Sequence, residues 1–255
     1  MDRAGLPMSG PRVLVVRSGA NPFARLPAGS SLEIVERVSH SIEPLDVPPS
    51  AFERHADLTL FTSQVTVERV LSDDRLAPRL RAAASGGRVV AVGGATESSL
   101  RRLGLPPDVV AKGSGESVLD HLPAALEGFH VLYPCAEDAT PELAAALARR
   151  GAAVSKVAVY RKVPVPADED LGRQIVQRPF TAFCVTSPSA ATWLFRGLPV
   201  AAAERLKETP AVVLGRYTRR YLESHGVARI AVAEEPRFDA AARLLEKLAG
   251  EGVGQ

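Results

Sequence analysis

At 255 residues, with a net charge of +2, 46% hydrophobic and 24% charged residues, the chain has the composition of an ordinary globular protein of one large or two small domains. The charge is too slight to point to nucleic acid, and 5% aromatics with one Trp give little material for stacking single-stranded bases. No apolar run has the length of a transmembrane helix, and the lead Met1–Pro11 lacks an apolar signal core, so the expected setting is the cytoplasm with no membrane contact.

The run Arg12–Arg17 predicts a strand, followed by a Pro- and Gly-bearing stretch, Ser18–Ser31, in which no clean helix can be read. Leu32–Pro44 is a valine-rich strand running into Pro44, Pro48 and Pro49. Leu58–Ser63 predicts a strand followed by a helix, and Val89–Gly104 a strand, a glycine turn and a helix. A short strand, Asp108–Ala111, and an amphipathic helix, Glu116–Leu126, close the first half. In the second half His130–Cys135 predicts a strand and Pro141–Gly151 a helix, with Pro at its start, Leu143 and Leu147 on one face and Gly at its end. Val154–Pro166 is a strand that leaves its sheet through Pro164 and Pro166, with Tyr160, Arg161 and Lys162 where it stops. Strand-and-turn patterns follow at Ala182–Ser187, Ala211–Gly226 and Ala228–Val232, then a helix at Asp239–Leu248.

The halves repeat one unit. Arg12–Arg17 resembles His130–Cys135, and Leu58–Ser63 resembles Ala182–Ser187. Gly93, Thr96, Leu100 and Gly104 fall on Gly215, Thr218, Leu222 and Gly226 at one constant spacing of 122. Short continuous apolar strands alternating with helices mean parallel sheets covered on both faces. The expected fold is therefore α/β: two similar doubly wound parallel-sheet lobes joined by a two-strand β linker, 32–46 and 154–166.

Ligands of such sheets lie beyond the carboxyl ends of the strands. Standing there are Arg17, Thr62, Ser63, Gly93, Thr96, Tyr160, Ser187, Pro188, Gly215, Arg216 and Thr218. Ser63, Thr96, Ser187 and Thr218 each precede a helical pattern and read as N-caps. Capping alone would account for any one of them, but four helix N-termini turned to one cleft would make an anion-binding surface, and Arg17, Arg161 and Arg216 add the same sign. The glycine turns lack dinucleotide-fingerprint spacing, and Gly-Ser-Gly at 113–115 is no phosphate loop because Lys112 precedes it. His40, His55, His121, His130 and His225 are scattered without ligand spacing, so no metal site is expected, and Cys135 and Cys184 read as buried thiols. Tyr160 remains as a proton donor. A phenol has an ordinary pKa of about 10 and is a weak acid, and packing of the connector strand is the alternative use of the ring. From the residues alone the chain is a two-lobed binder of a small polyanion.

The order and spacing of Val-Leu-Val-Val-Arg17, Phe-Thr-Ser63, Val-Gly-Gly-Ala-Thr96, Leu-Tyr-Pro-Cys135, Val-Ala-Val-Tyr160, Val-Thr-Ser-Pro-Ser189 and Leu-Gly-Arg-Tyr-Thr218 resemble the uroporphyrinogen-III synthase family from Arg12 to about Leu248. The resemblance implies chain exchange, with one lobe from 1–42 plus 166–255 and the other from 46–160. It implies as substrate hydroxymethylbilane, a linear tetrapyrrole with eight carboxylates, closed with loss of water and inversion of ring D through a spiro intermediate. Tyr160 would donate or relay a proton to the departing hydroxyl; Ser63, Thr96, Ser187 and Thr218 with adjacent amides would hold acetates and propionates. No cofactor is implied, and a monomer is expected. The chain departs from the family's pattern at Arg216-Tyr217, at Ser18 after Arg17, and in the acidic turn Cys135-Ala-Glu-Asp. The alternative from another class is a synthase-like domain that senses a ligand or binds a partner without turnover. Retention of Tyr160 and of both glycine–threonine turns argues against it.

Overall fold

The structure is a computed structural model describing residues 10–19, 32–112, 115–166, 169–234 and 238–251. Most of the Ser18–Ser31 stretch and of the Gly-Ser-Gly turn at 113–115 lies outside the described residues. The strands are β1 (Arg12–Ser18), β2 (Glu33–Pro44), β3 (Leu58–Phe61), β4 (Arg88–Val92), β5 (Val109–Ala111), β6 (His130–Ala136), β7 (Ala153–Pro164), β8 (Ala182–Val185), β9 (Ala211–Val213) and β10 (Ile230–Val232). The α-helices are α1 (Gln64–Leu71), α2 (Ala77–Ala84), α3 (Gly94–Arg102), α4 (Glu142–Arg149), α5 (Glu169–Gln177), α6 (Pro188–Gly197), α7 (Val200–Glu208), α8 (Arg216–Ser224) and α9 (Phe238–Glu251). No helix among the described residues is long and apolar enough to cross a membrane.

The chain divides into two compact units: residues 1–41 with 163–255 (unit 1), and residues 42–162 (unit 2). β2 and β7 each begin in one unit and end in the other. Within unit 2 the strand order is β7-β6-β3-β4-β5, and its pairs are parallel. One face packs Leu132, Ala91 and Phe61 against Val67 and Val70 of α1, Leu80 of α2 and Leu100 of α3. The other packs Leu60, Val90 and Val131 against Leu143 and Leu147 of α4. Burial on both faces is why these strands are continuous apolar runs rather than alternating ones.

Unit 1 repeats the plan with a different chain order, β10-β9-β8-β1-β2, again parallel. Leu14, Val16, Phe183 and Val213 meet Leu171 of α5, Leu194 of α6, Leu206 of α7 and Leu222 of α8. Val13, Val15, Cys184 and Val212 meet Ala241 and Leu245 of α9. Setting β1 and β2 on β6 and β7, and β8–β10 on β3–β5, superposes the two orders, so the sequence repeat is a repeat of topology. The fold is α/β with parallel sheets.

One expected element is absent in its expected form. The segment read as a helix over Glu116–Leu126 is a 3₁₀ turn, Gly115–His121. Pro123 biases the residue before it away from helical geometry. The carbonyls of Leu119, Leu122 and Pro123 instead accept from Arg150 Nη1 at 2.7, 3.4 and 3.1 Å.

Candidate functional site

In unit 2 the chain leaves β3 toward β4 on one side and enters β6 on the other. The crevice of such a sheet opens at this reversal, beyond the carboxyl ends of β3 and β6. Thr62 and Ser63 follow β3 directly. Thr62 Oγ1 shares a hydrogen bond of 3.3 Å with the hydroxyl of Tyr133 on β6. Ser63 caps α1, its Oγ accepting from Val65 N at 3.2 Å. Its hydroxyl is thus committed to the helix end, as a capping role requires.

Thr96 is not a cap. Gly93 is the N-cap of α3 at φ +80°, in the left-handed region that glycine adopts without cost, and Thr96 is buried in the first turn. Gly93 has no side chain to satisfy the free N–H groups, so the α3 N-terminus keeps its donors and positive dipole end for an anion.

Tyr160 is placed by a bulge. β6 and β7 pair residue for residue until Cys135 faces Ala158 and Ala136 faces Tyr160, leaving Val159 as the extra residue. A bulge turns the next side chain away from the regular alternation. The ring of Tyr160 lies in the core cluster with Phe61 and Val159 and is 4% exposed. The buried side-chain polar atoms lacking partners among the described residues are Thr59 Oγ1, Thr66 Oγ1 and Arg69 Nε. The Tyr160 hydroxyl makes no hydrogen bond among the described residues.

Unit 1 carries the same construction. Its reversal lies between β8 and β1, where Ser187 caps α6, accepting from Ala190 N at 3.2 Å, and Pro188 takes the first helical position. Ser187 Oγ lies 3.0 Å from Ser189 Oγ and 3.4 Å from Ser18 Oγ, and Ser18 Oγ lies 3.3 Å from Ser39 Oγ. Gly215 caps α8 in extended backbone that any residue adopts, again without a side-chain acceptor, and Thr218 is a buried first-turn residue like Thr96, not the cap. β1 and β2 are bulged at the matching place: Arg17 faces Val38, Ser18 faces His40, and Ser39 is the extra residue. His40 therefore stands where Tyr160 stands in unit 2.

The expected cations differ in availability. Arg17 is buried, with Nε paired to Glu36 and Nη1 donating to the Gly19 carbonyl, so its charge is directed into its own strand end. Arg161 donates from Nε and Nη2 to Glu43 at 2.9 and 2.8 Å. Arg216 is exposed at the start of α8 and makes no ion pair among the described residues. Burial pushes the Cys135 thiol up to about 11 and the Cys184 thiol up to about 12, so neither is a nucleophile. Burial also raises the Tyr133 hydroxyl. No group of His, Cys, Asp and Glu side chains among the described residues could hold a metal ion.

Sequence reasoning passed over Tyr133, Ser39 and His40. The signal for His40 was present. The two proline-terminated strands are each 12 residues long, and laying Pro44 on Pro164 puts His40 on Tyr160.

A family model described as uroporphyrinogen-III synthase HemD matches residues 28–243. No curated protein matches the chain. Among solved structures, a mutant uroporphyrinogen III synthase from the extremely thermophilic bacterium Thermus thermophilus is similar with a TM-score of 0.66 and 22% identity, over 95% of this chain and 100% of that one. A uroporphyrinogen-III synthetase from Helicobacter pylori is similar with a TM-score of 0.60 and 19% identity, over 93% and 99% of the two chains. At these identities the structural likeness speaks for the fold.

Proposed function

The chain belongs to the uroporphyrinogen-III synthase family, hydro-lyases of tetrapyrrole biosynthesis, and from that premise we propose how its own residues carry the reaction. The substrate is hydroxymethylbilane, closed to uroporphyrinogen III with inversion of ring D through a spiro intermediate. The units 1–41 plus 163–255 and 42–162 act as the two chain-exchanged lobes. The protein works as a monomer in the cytoplasm.

The terminal C–O bond breaks as the Tyr160 hydroxyl gives its proton to the departing oxygen, which leaves as water, and the CH₂ carbon becomes an azafulvene cation. That carbon bonds to the substituted α-position of ring D to give the spiro intermediate. The bond from this position to its original bridge carbon then breaks, leaving a second azafulvene cation that closes at the free α-position and expels its proton to the phenolate. The sum is loss of one water. Ring closure without inversion needs no enzyme, so the protein's larger task is to hold one conformation of the chain. The uncapped N-termini of α3 and α8, with Thr96 and Thr218, and the turns at Thr62-Ser63 and Ser187-Pro188, take the acetates and propionates. Arg216 adds a mobile cation, and Arg17 braces the end of β1 for the same turns.

The observation that carries this reading is the bulge that seats the Tyr160 ring in the core and leaves its hydroxyl without a protein partner among the described residues. Incubation with hydroxymethylbilane, oxidation and separation of the porphyrin isomers tests it. Type III in excess over the protein-free control is the expected result, and type I alone from folded protein would sink it.

A further inference from the structure

His130 opens β6 at the foot of the unit 2 sheet, the end opposite Thr62 and Ser63, and the reaction above gives it no role. The residue is 3% exposed, and each ring nitrogen has a partner. Nδ1 lies 2.6 Å from the His55 carbonyl, and Nε2 lies 2.8 Å from Ser155 Oγ on β7. A carbonyl only accepts, so Nδ1 carries the proton. In the neutral imidazole Nε2 is then the acceptor, and the Ser155 hydroxyl points its proton at it.

A hydroxyl donating to an imidazole whose other nitrogen is held by an acceptor is the arrangement of a nucleophile with its base. Two further features suit that use. Ser155 is half-buried while His130 is shielded, so the nucleophile is the member that meets solvent. Asp57 Oδ2 accepts the His130 backbone N–H at 2.7 Å, and a carboxylate beside the ring stabilises the imidazolium that an attack by Ser155 would form.

We propose that Ser155 and His130 form a nucleophile–base pair, separate from the site at the other end of the sheet, that takes acyl groups from small activated esters. Ser155 Oγ attacks the acyl carbon as its proton passes to His130 Nε2. The bond from that carbon to the leaving oxygen breaks, and the imidazolium returns the proton to the departing alkoxide. Ser155 then carries the acyl group as an ester. Water, its proton taken by Nε2, releases the acid and restores the hydroxyl, so that ester and water give acid and alcohol. Half-burial of Ser155 limits the acyl group to a small one.

The full-length protein is treated with an alkyl fluorophosphonate, which phosphonylates a serine as fluoride leaves and the serine proton goes to the base. A second sample receives p-nitrophenyl acetate, and adducts in both are mapped by mass spectrometry of peptides. An adduct on Ser155 is expected, forming about 10²-fold faster than on other hydroxyls, the lower end of what a general base contributes. Unfolding in urea should abolish that preference, because it depends on His130 lying beside Ser155, and this comparison needs no variant. Ser155→Ala should remove the adduct. His130→Gln should slow its formation by about 10²-fold, with circular dichroism to check the fold. Adducts confined to other residues, equal rates in the native and urea-unfolded chain, or an unchanged rate in folded His130→Gln would overturn the pair. Separation of porphyrin isomers reads the other end of the sheet, so either proposal can fail while the other stands.

Discussion

Past the bulge in unit 2 stands Tyr160, its ring packed beside Phe61 and Val159 and its hydroxyl without a partner among the described residues. Past the bulge in unit 1 stands His40, its Nδ1 held through Ser39 to the carbonyl of Arg17. The strands, registers and bulges match, so the backbone was duplicated whole and the chemistry at its tip then diverged. In one unit the tip is a phenol backed by hydrocarbon; in the other it is an imidazole held by a hydroxyl chain. A bulge is a device for aiming a side chain, and its retention in both units marks these two positions as the ones whose direction mattered.

The largest expected effect sharpens that contrast. Tyr160→Phe deletes one oxygen from a ring that stays in the core, so stability should change little. Type III formation should fall by about 10²-fold, the lower end of what general acid–base groups contribute. KM should hold while kcat drops. A variant as active as wild type would reduce Tyr160 to packing and remove the functional meaning of the bulge.

The second test uses the paired glycines. Gly93 sits at φ +80°, whereas Gly215 lies at φ −168° with nothing within 4 Å of an added Cβ. Gly93→Ala should cost about 1–2 kcal/mol of stability through left-handed strain. Gly215→Ala should cost about 0.5–1 kcal/mol, the ordinary preference for Gly over Ala at an N-cap, without the left-handed strain added at Gly93. Equal losses by thermal or urea unfolding would mean that the two turns are conformationally alike.

Much of this was legible in the sequence because it rests on local rules. Continuous apolar runs, caps at Ser63 and Ser187, Pro188 at a first helical position and the 122-residue spacing of the glycine turns are readable without coordinates. The rest depended on tertiary partners. Thr96 and Thr218 read as caps because each stands near a helix start, but the glycine before the helix takes that place and the threonine is drawn into the first turn. Arg17 read as an open cation because nothing in its own run opposes it; Glu36 meets it only once β2 lies beside β1. His40 read as a scattered histidine because its neighbours are Ser39 beside it, Ser189 far along the chain, and a register shift that only paired strands reveal.

A third and smaller effect separates the units by acid. At the foot of unit 2, Asp57 Oδ2 accepts His130 N–H at 2.7 Å, and that bond holds its carboxyl below the ordinary value of 3.8. At the matching foot of unit 1, Thr181 Oγ1 donates to the Arg12 carbonyl at 2.9 Å, a contact without a titrating group. A carboxyl depressed in the folded state contributes stability above its unfolded value, lost as pH falls through the folded value, here below 3.8. Melting temperature should therefore fall more steeply below pH 4 in wild type than in Asp57→Asn. Identical slopes would clear this contact of any part in acid unfolding.

The smallest effect concerns a mismatch inside the strands. Thr59 on β3 and Phe183 on β8 occupy equivalent places, and both are fully buried. Phe183 adds apolar surface to its core, but Thr59 Oγ1 has no hydrogen-bond partner between Val89 and Leu132, its neighbours in register. A buried hydroxyl without a partner costs about 1–3 kcal/mol, and Thr and Val have the same shape. Thr59→Val should therefore stabilise the chain by about 1 kcal/mol, a rise of about 2–4 °C in Tm for a chain of this size. Phe at the same place should not, because a ring forced between β4 and β6 overpacks a sheet that already closes around a methyl-sized branch. A lower Tm for Thr59→Val would mean that the hydroxyl is satisfied in solution, and the difference between the two strands would then be one of volume alone.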